Sequence, residues 1–86
     1  MRVIVPSPLH SYTGGRSECE ASGATLDALL ADMDRQHPGL RFRIVDEQQR
    51  IRVHIRIYVN RKPATELAQP LAASDEVLIV AALSGG

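Results

Sequence analysis

The sequence predicts an α+β domain in which one main helix packs on one face of a mixed sheet of four to five strands. Three observations predict it: alternating apolar residues from Ile51 to Val59, an apolar run from Val77 to Leu83, and one well-capped helical segment from Thr25 to Gln36. With 86 residues there is room for one core, so we expect a single domain over residues 1–86.

Two short strands are predicted in the first quarter of the chain. Val3 and Val5 alternate with Arg2 and Ile4, and Pro6 limits this strand because proline donates no ladder hydrogen bond. Thr13-Gly14-Gly15 is a turn signal, and residues 16–21 alternate as a second strand. The two strands are expected to form a hairpin.

The helix is predicted from its cap and its periodicity. Thr25 is a good N-cap, and Asp27 suits the positive end of the helix dipole. The apolar positions follow helical spacing: Leu26, Leu29, Leu30 and Met33. His37-Pro38-Gly39 ends the helix, since the residue before a proline disfavours helical geometry.

The second half of the chain predicts the rest of the sheet. Residues 40–45 alternate as a short strand would, and residues 46–50 form a polar loop. The strongest strand covers residues 51–59, with its odd-numbered apolar side chains all on the core face. Residues 76–82 are apolar on both faces, which predicts a central strand parallel to the first. This order of elements is that of a β-grasp roll, the ubiquitin-like arrangement.

Charge is unevenly distributed in a chain whose net charge is zero. Between Arg35 and Lys62, seven arginines and one lysine face only Asp46 and Glu47, a net charge of +6. The two flanking segments carry −3 each. The basic segment is either a solvated strand face or a docking surface for an acidic partner. Zero net charge and three aromatic residues argue against a nucleic-acid binder.

The sequence offers little material for an enzyme or metal site. The histidines His10, His37 and His54 are scattered, and none has a cysteine or carboxylate at metal-ligand spacing. Cys19, the only cysteine, is interpreted as a small core residue. The apolar run 77–83 is too short to span a membrane, and no signal peptide is evident, so we expect a cytoplasmic protein.

The carboxyl terminus is the most informative feature. An apolar strand leads directly into Leu83-Ser84-Gly85-Gly86, which is expected to be a flexible tail over residues 83–86. Two residues without Cβ atoms make a thin chain that can enter a narrow channel and present its carboxylate in another protein's active site. A fraying chain end is the alternative.

Taken together, the chain resembles the sulfur carriers of the β-grasp superfamily, which include the molybdopterin synthase small subunit, the thiamine-pathway carrier and, most similar, the carrier of the thiocarboxylate-dependent cysteine pathway. The matching stretches are Thr13-Gly14-Gly15, Ala21-Ser22-Gly23 with Thr25-Leu26, Ile57-Tyr58-Val59-Asn60, Leu71 with Asp75-Glu76-Val77, and Gly85-Gly86. Ser74 and Ala81 depart from the glycine and proline of many relatives. The resemblance also implies that residues 40–45 are irregular or a single helical turn.

The resemblance implies a carrier rather than an enzyme, with no bound cofactor. An ATP-dependent activating enzyme would adenylate the Gly86 carboxylate, and a sulfur nucleophile would displace AMP to leave a thiocarboxylate. Leu83, Ser84 and Gly85 would thread the partner's site. A sulfur-accepting synthase and a metalloprotease that processes the carboxyl terminus are further implied partners, and the carrier alone would be a monomer.

Recognition by a partner also requires a binding surface on the carrier. If Val77 and Ile79 face the helix, their neighbours Leu78 and Val80 face outward together with Ile4, and Arg56 and Tyr58 border them. We predict that these five residues form the partner-binding surface. Within the carrier class, the small subunit of molybdopterin synthase is the alternative to a cysteine-pathway carrier, and a ubiquitin-like modifier conjugated through Gly86 is the alternative from another class.

Overall fold

A computed structural model describes residues 1–81 of the chain. These residues contain five strands: β1 (Arg2–Ile4), β2 (Glu18–Glu20), β3 (Ile55–Val59), β4 (Lys62–Pro63) and β5 (Glu76–Ala81). They form one mixed sheet in the order β2-β1-β5-β3-β4. The central strand β5 is parallel to β1 and antiparallel to β3. The predicted β-grasp sheet with an apolar central strand is confirmed.

The same residues contain one long helix and two short ones: α1 (Leu26–Gln36), α2 (Leu40–Ile44) and a 3-10 helix (Ser7–Tyr12). Thr25 caps α1 as predicted, because its Oγ1 accepts a hydrogen bond from the Ala28 amide at 3.1 Å. Beyond α1, Gly39 adopts a φ of 93°, which glycine tolerates without strain. The predicted main helix is confirmed.

The core lies between α1 and the inward face of the sheet. Val3, Val77 and Ile79 are almost fully buried on the strands. Leu26, Leu29, Leu30 and Met33 are buried on α1. Because strand side chains alternate between faces, the intervening residues of β1, β3 and β5 point away from the helix.

Residues 40–45 alternate in the sequence, but the structure has α2 there and no strand. Leu40 and Ile44 lie one helical turn apart, and both are completely buried. The intervening Phe42 is 52% exposed. A single short helix therefore buries both apolar residues, as the family resemblance implied.

The predicted strand over residues 51–59 is wrong in its first half. β3 begins at Ile55, after a turn in which the Ile55 amide donates to the Arg52 carbonyl at 2.9 Å. This turn directs Val53 outward, where it is 85% exposed, whereas Ile51 forms only an isolated bridge with Val45. Alternation alone did not reveal the turn, because it contains neither glycine nor proline.

None of the helices within residues 1–81 combines the length and the apolar character that a membrane crossing requires.

Gly23 lies where the chain passes closely over α1. A Cβ atom built at Gly23 would lie 2.4 Å from the backbone nitrogen of Leu29. We expect Gly23→Ala to lower the free energy of unfolding by about 1–3 kcal/mol. The backbone at residue 23 and the backbone of α1 cannot move apart without disturbing the helix. Thermal unfolding measures this, with the exposed neighbour variant Ser22→Ala as control, expected within about 0.5 kcal/mol of the parent. Equal stability of the two variants would contradict the close approach.

Candidate functional site

The five residues predicted to bind a partner lie together on the sheet face opposite α1. Strand register places Ile4 beside Leu78 and Leu78 beside Tyr58, so these side chains form a row across β1, β5 and β3. Val80 lies beside Arg56, two residues further along β5 than Leu78. Ile4, Arg56, Tyr58, Leu78 and Val80 are called the outer patch below.

The outer patch is incompletely covered. Ile4, Tyr58 and Leu78 are half-buried, and Val80 is 36% exposed. A shallow groove of about 320 Å³ runs from Ile4, Leu78 and Val80 to the segment Pro6–Pro8. Apolar side chains gathered on an open sheet face are typical of a protein-binding surface.

Charged residues border the outer patch on the same face of the sheet. The Arg2 guanidinium lies 2.6 Å from Glu18 and 3.4 Å from Glu76. These pairs are half-exposed, so each contributes little to stability, but they make this border of the patch polar. The pairs of Arg2 thus border the outer patch on the side of β1 and β2, whereas Leu78 and Val80 lie toward the end of β5.

The predicted tail residues Leu83, Ser84, Gly85 and Gly86 lie outside the described residues. The described chain ends at Ala81, which pairs with Ile55 of β3. Two residues of the outer patch, Leu78 and Val80, therefore precede Ala81 by three residues and by one residue, and the sequence continues from Ala81 toward Gly86.

A polar clasp positions the beginning of β5, and the sequence reasoning missed it. The Asn60 amide group donates to Asp75 at 2.8 Å and accepts from the Glu76 amide at 3.0 Å. Asp75 also accepts from the Ala72 amide at 2.8 Å. These hydrogen bonds, that from Ala72 foremost, lower the pKa of Asp75. Both Asn60 and Asp75 stand in the stretches that carry the family resemblance, which is the signal that could have paired them.

The other singled-out residues have structural roles. Thr13 is buried, its hydroxyl donates to the Arg16 carbonyl at 2.7 Å, and Gly14 and Gly15 follow with positive φ. Cys19 is buried, and burial raises the pKa of its thiol, which disfavours the reactive thiolate. Within residues 1–81, no three His, Cys, Asp or Glu side chains are grouped as a metal ion would require.

Comparisons of sequence identify relatives over almost the whole chain. The model of the ThiS family matches residues 3–86. Sulfur carrier protein CysO of Mycobacterium bovis is 34% identical over 89 residues, which cover 98% of this chain and 96% of the relative. The CysO protein of Mycobacterium tuberculosis matches to the same extent.

Comparisons of structure agree. CysO in the Amycolatopsis orientalis BexX/CysO complex is similar with a TM-score of 0.90 and 31% identity, over 99% of this chain and 98% of that one. Small archaeal modifier protein 1 (SAMP1) of Haloferax volcanii has a TM-score of 0.79 and 27% identity, over 100% of this chain and 98% of that one. The resemblance found in the sequence is confirmed, and the chain belongs to the ThiS family.

Proposed function

We propose that the protein is a sulfur carrier whose Gly86 carboxylate is adenylated by a partner enzyme and then converted to a thiocarboxylate. One observation carries this proposal: the family match runs from residue 3 to residue 86 and so includes the terminal Gly85-Gly86. Relatives that match 98% of the chain bear the name sulfur carrier protein.

The chemistry explains why a partner and ATP are needed. A carboxylate is a poor electrophile, whereas an acyl-adenylate has AMP as a good leaving group. A sulfur nucleophile in the oxidation state of sulfide attacks the acyl carbon. The bond between that carbon and AMP breaks, and a thiocarboxylate remains on Gly86. The carrier supplies no base for this reaction, and it acts as a co-substrate.

The carrier contributes a tail that extends into the partner's active site and a surface that the partner recognises. Five residues, 82–86, follow Ala81 and can span at most about 18 Å when fully extended. The activating enzyme must therefore approach the end of β5 closely, and the outer patch offers an apolar surface there. We assign docking of the activating enzyme to this patch, centred on Leu78.

The product is proposed to be cysteine or a related thio-metabolite, formed by a sulfur-accepting synthase that takes the loaded carrier. The names of the curated relatives favour this pathway over molybdopterin synthesis. A metalloprotease that exposes Gly86 belongs to the same proposal. The BexX/CysO complex supports a partnership with another protein, since CysO was found there in complex with BexX.

A second candidate function is conjugation to other proteins through Gly86. The structural similarity to small archaeal modifier protein 1 favours it, because that relative is described as a modifier. Conjugation uses the same activated carboxylate but ends in an amide to a lysine of the target.

The test is conversion of the purified protein. Incubation with ATP, the adenylating enzyme of the same organism and sulfide is expected to replace one oxygen of the carrier by sulfur, as intact-mass spectrometry will show. Omission of ATP should prevent the change, because adenylation precedes sulfur transfer. An unchanged mass in the complete reaction would refute the carrier function, and lysine-linked adducts without a sulfur-bearing species would favour the modifier.

A further inference from the structure

Within residues 1–81, the basic side chains between positions 35 and 62 differ in whether a carboxylate lies within ion-pair distance. The Arg35 guanidinium lies 2.7 Å from Asp32, and that of Arg41 lies 2.6 Å from Asp27. These two arginines are neutralised by carboxylates of α1. Within the described residues 1–81, the remaining bases of this segment form no ion pair with a carboxylate.

Two of the remaining bases line a cleft at the end of β5. The cleft has a volume of about 540 Å³, and Arg43, Arg52, His54 and Phe42 line it together with Ala81. Glu47 is the acid that also contributes to the lining. This cleft is called the basic cleft below.

The arginines of the basic cleft are held by neutral groups. Arg52 Nε donates to the Phe42 carbonyl at 2.7 Å, and its guanidinium lies 4.7 Å from the centre of the Phe42 ring. The Arg43 guanidinium lies 5.8 Å from the centre of the Tyr12 ring. Within residues 1–81, neither guanidinium has a carboxylate within 4.0 Å. Contacts of this kind position an arginine but leave its charge uncompensated.

The nearby carboxylate of Asp46 is hydrogen-bonded to backbone amides. It accepts hydrogen bonds from the amides of Gln48 at 2.9 Å and Arg50 at 3.1 Å, which closes the loop before the cleft. Two positioned guanidinium groups and the imidazole of His54 therefore line the cleft, and among residues 1–81 Glu47 is the one acid beside them. A surface built in this way attracts carboxylates.

We propose that the basic cleft docks an acidic segment of the activating enzyme, beside the entrance through which that enzyme receives the tail. This inference rests on the proposed function. Ala81 lines the cleft, and its neighbour Val80 belongs to the outer patch on the opposite face. Residues 82–86 span at most about 18 Å of chain, so an enzyme that takes them in must approach the end of β5. The cleft and the groove of the outer patch meet there, since Pro8 and Ala81 line both.

The test compares two charge reversals of equal size. Arg43→Glu is expected to raise the KM of the activating enzyme for the carrier about tenfold at about 0.1 M salt and to leave kcat unchanged, because the charge acts on encounter and docking. Lys62→Glu is the matched control, since Lys62 is exposed on the edge strand β4 away from the cleft. We expect its KM to stay within about twofold of the parent.

Measurements at high salt and on a second variant distinguish an electrostatic effect on KM from an effect of unfolding. The Arg43→Glu effect should shrink at about 1 M salt, where the Debye length is about 3 Å. Arg52→Gln should raise KM in the same direction, and thermal unfolding of each variant checks that it remains folded. Equal KM values for Arg43→Glu, Arg52→Gln and Lys62→Glu at low salt would overturn the proposal.

Failure of the inference can be told from failure of the proposed function. If the parent protein acquires sulfur and the cleft variants behave as the parent does, only the docking inference is wrong. If the parent acquires no sulfur, a light-scattering and calorimetric titration with the activating enzyme still reports whether Arg43→Glu weakens the complex. Salt-dependent binding of a single-stranded oligonucleotide to the cleft, without any effect of Arg43→Glu on the enzyme, would assign the cleft to nucleic acid instead.

Discussion

Leu78→Glu is expected to raise the KM of the activating enzyme for the carrier by about 30-fold, or about 2 kcal/mol of binding energy, as is typical of a central interface residue. Leu78 lies between Ile4 and Tyr58 in the middle of the outer patch and is only half-buried in the isolated protein. A carboxylate there would be desolvated against an apolar partner, whereas in the free carrier it can reach water. Steady-state sulfuration kinetics measure the effect.

The control for Leu78→Glu adds the same charge elsewhere. Ser74→Glu lies in an exposed turn before β5 and should leave KM unchanged. Val80→Glu provides a second variant at the more exposed position of the patch. If Leu78→Glu and Val80→Glu lower thermal stability strongly and bind the enzyme as the parent does, the outer patch is part of the core and not a docking surface.

Deletion of Gly86 is expected to abolish sulfuration completely. The proposed reacting group is the carboxylate of this residue, and without it the shortened chain cannot present that carboxylate at the same depth in the partner. Addition of one residue after Gly86 should abolish sulfuration equally. The fold should be unaffected, because the core described above lies within residues 3–79. Intact-mass spectrometry and thermal unfolding of each variant give the two measurements.

Cys19→Ser is the control for sulfur chemistry at the thiol. Cys19 is buried on β2, and its raised pKa disfavours the thiolate, so the variant should acquire sulfur as the parent does. Sulfur on the Gly86 deletion variant, or its loss in Cys19→Ser, would identify the thiol as the acceptor.

The main features of the fold could be predicted because each has a local physical signal. Thr25 and the apolar spacing of α1 specify the helix, and a strand that is apolar on both faces can only be central. Alternate side chains of a strand face opposite sides, so Leu78 and Val80 could be placed outward once Val77 and Ile79 were assigned to the core.

Other features depend on contacts between residues far apart in the chain. Val53 fits the alternation of a strand, but the chain turns between Arg52 and Ile55, and the side chain points to solvent. The clasp between Asn60 and Asp75 joins residues 15 positions apart, which no local pattern reveals. The basic cleft likewise depends on α2, because the helix places Phe42 under Arg52.

Fragmentation of the intact sulfur-bearing protein in the mass spectrometer tests the central claim most directly, since it shows which residue carries the sulfur. We expect the added mass to be confined to carboxyl-terminal fragments containing Gly86, while every fragment that ends before Gly86 keeps its unmodified mass. Added mass in amino-terminal fragments that contain Cys19, with unmodified carboxyl-terminal fragments, would contradict the central claim.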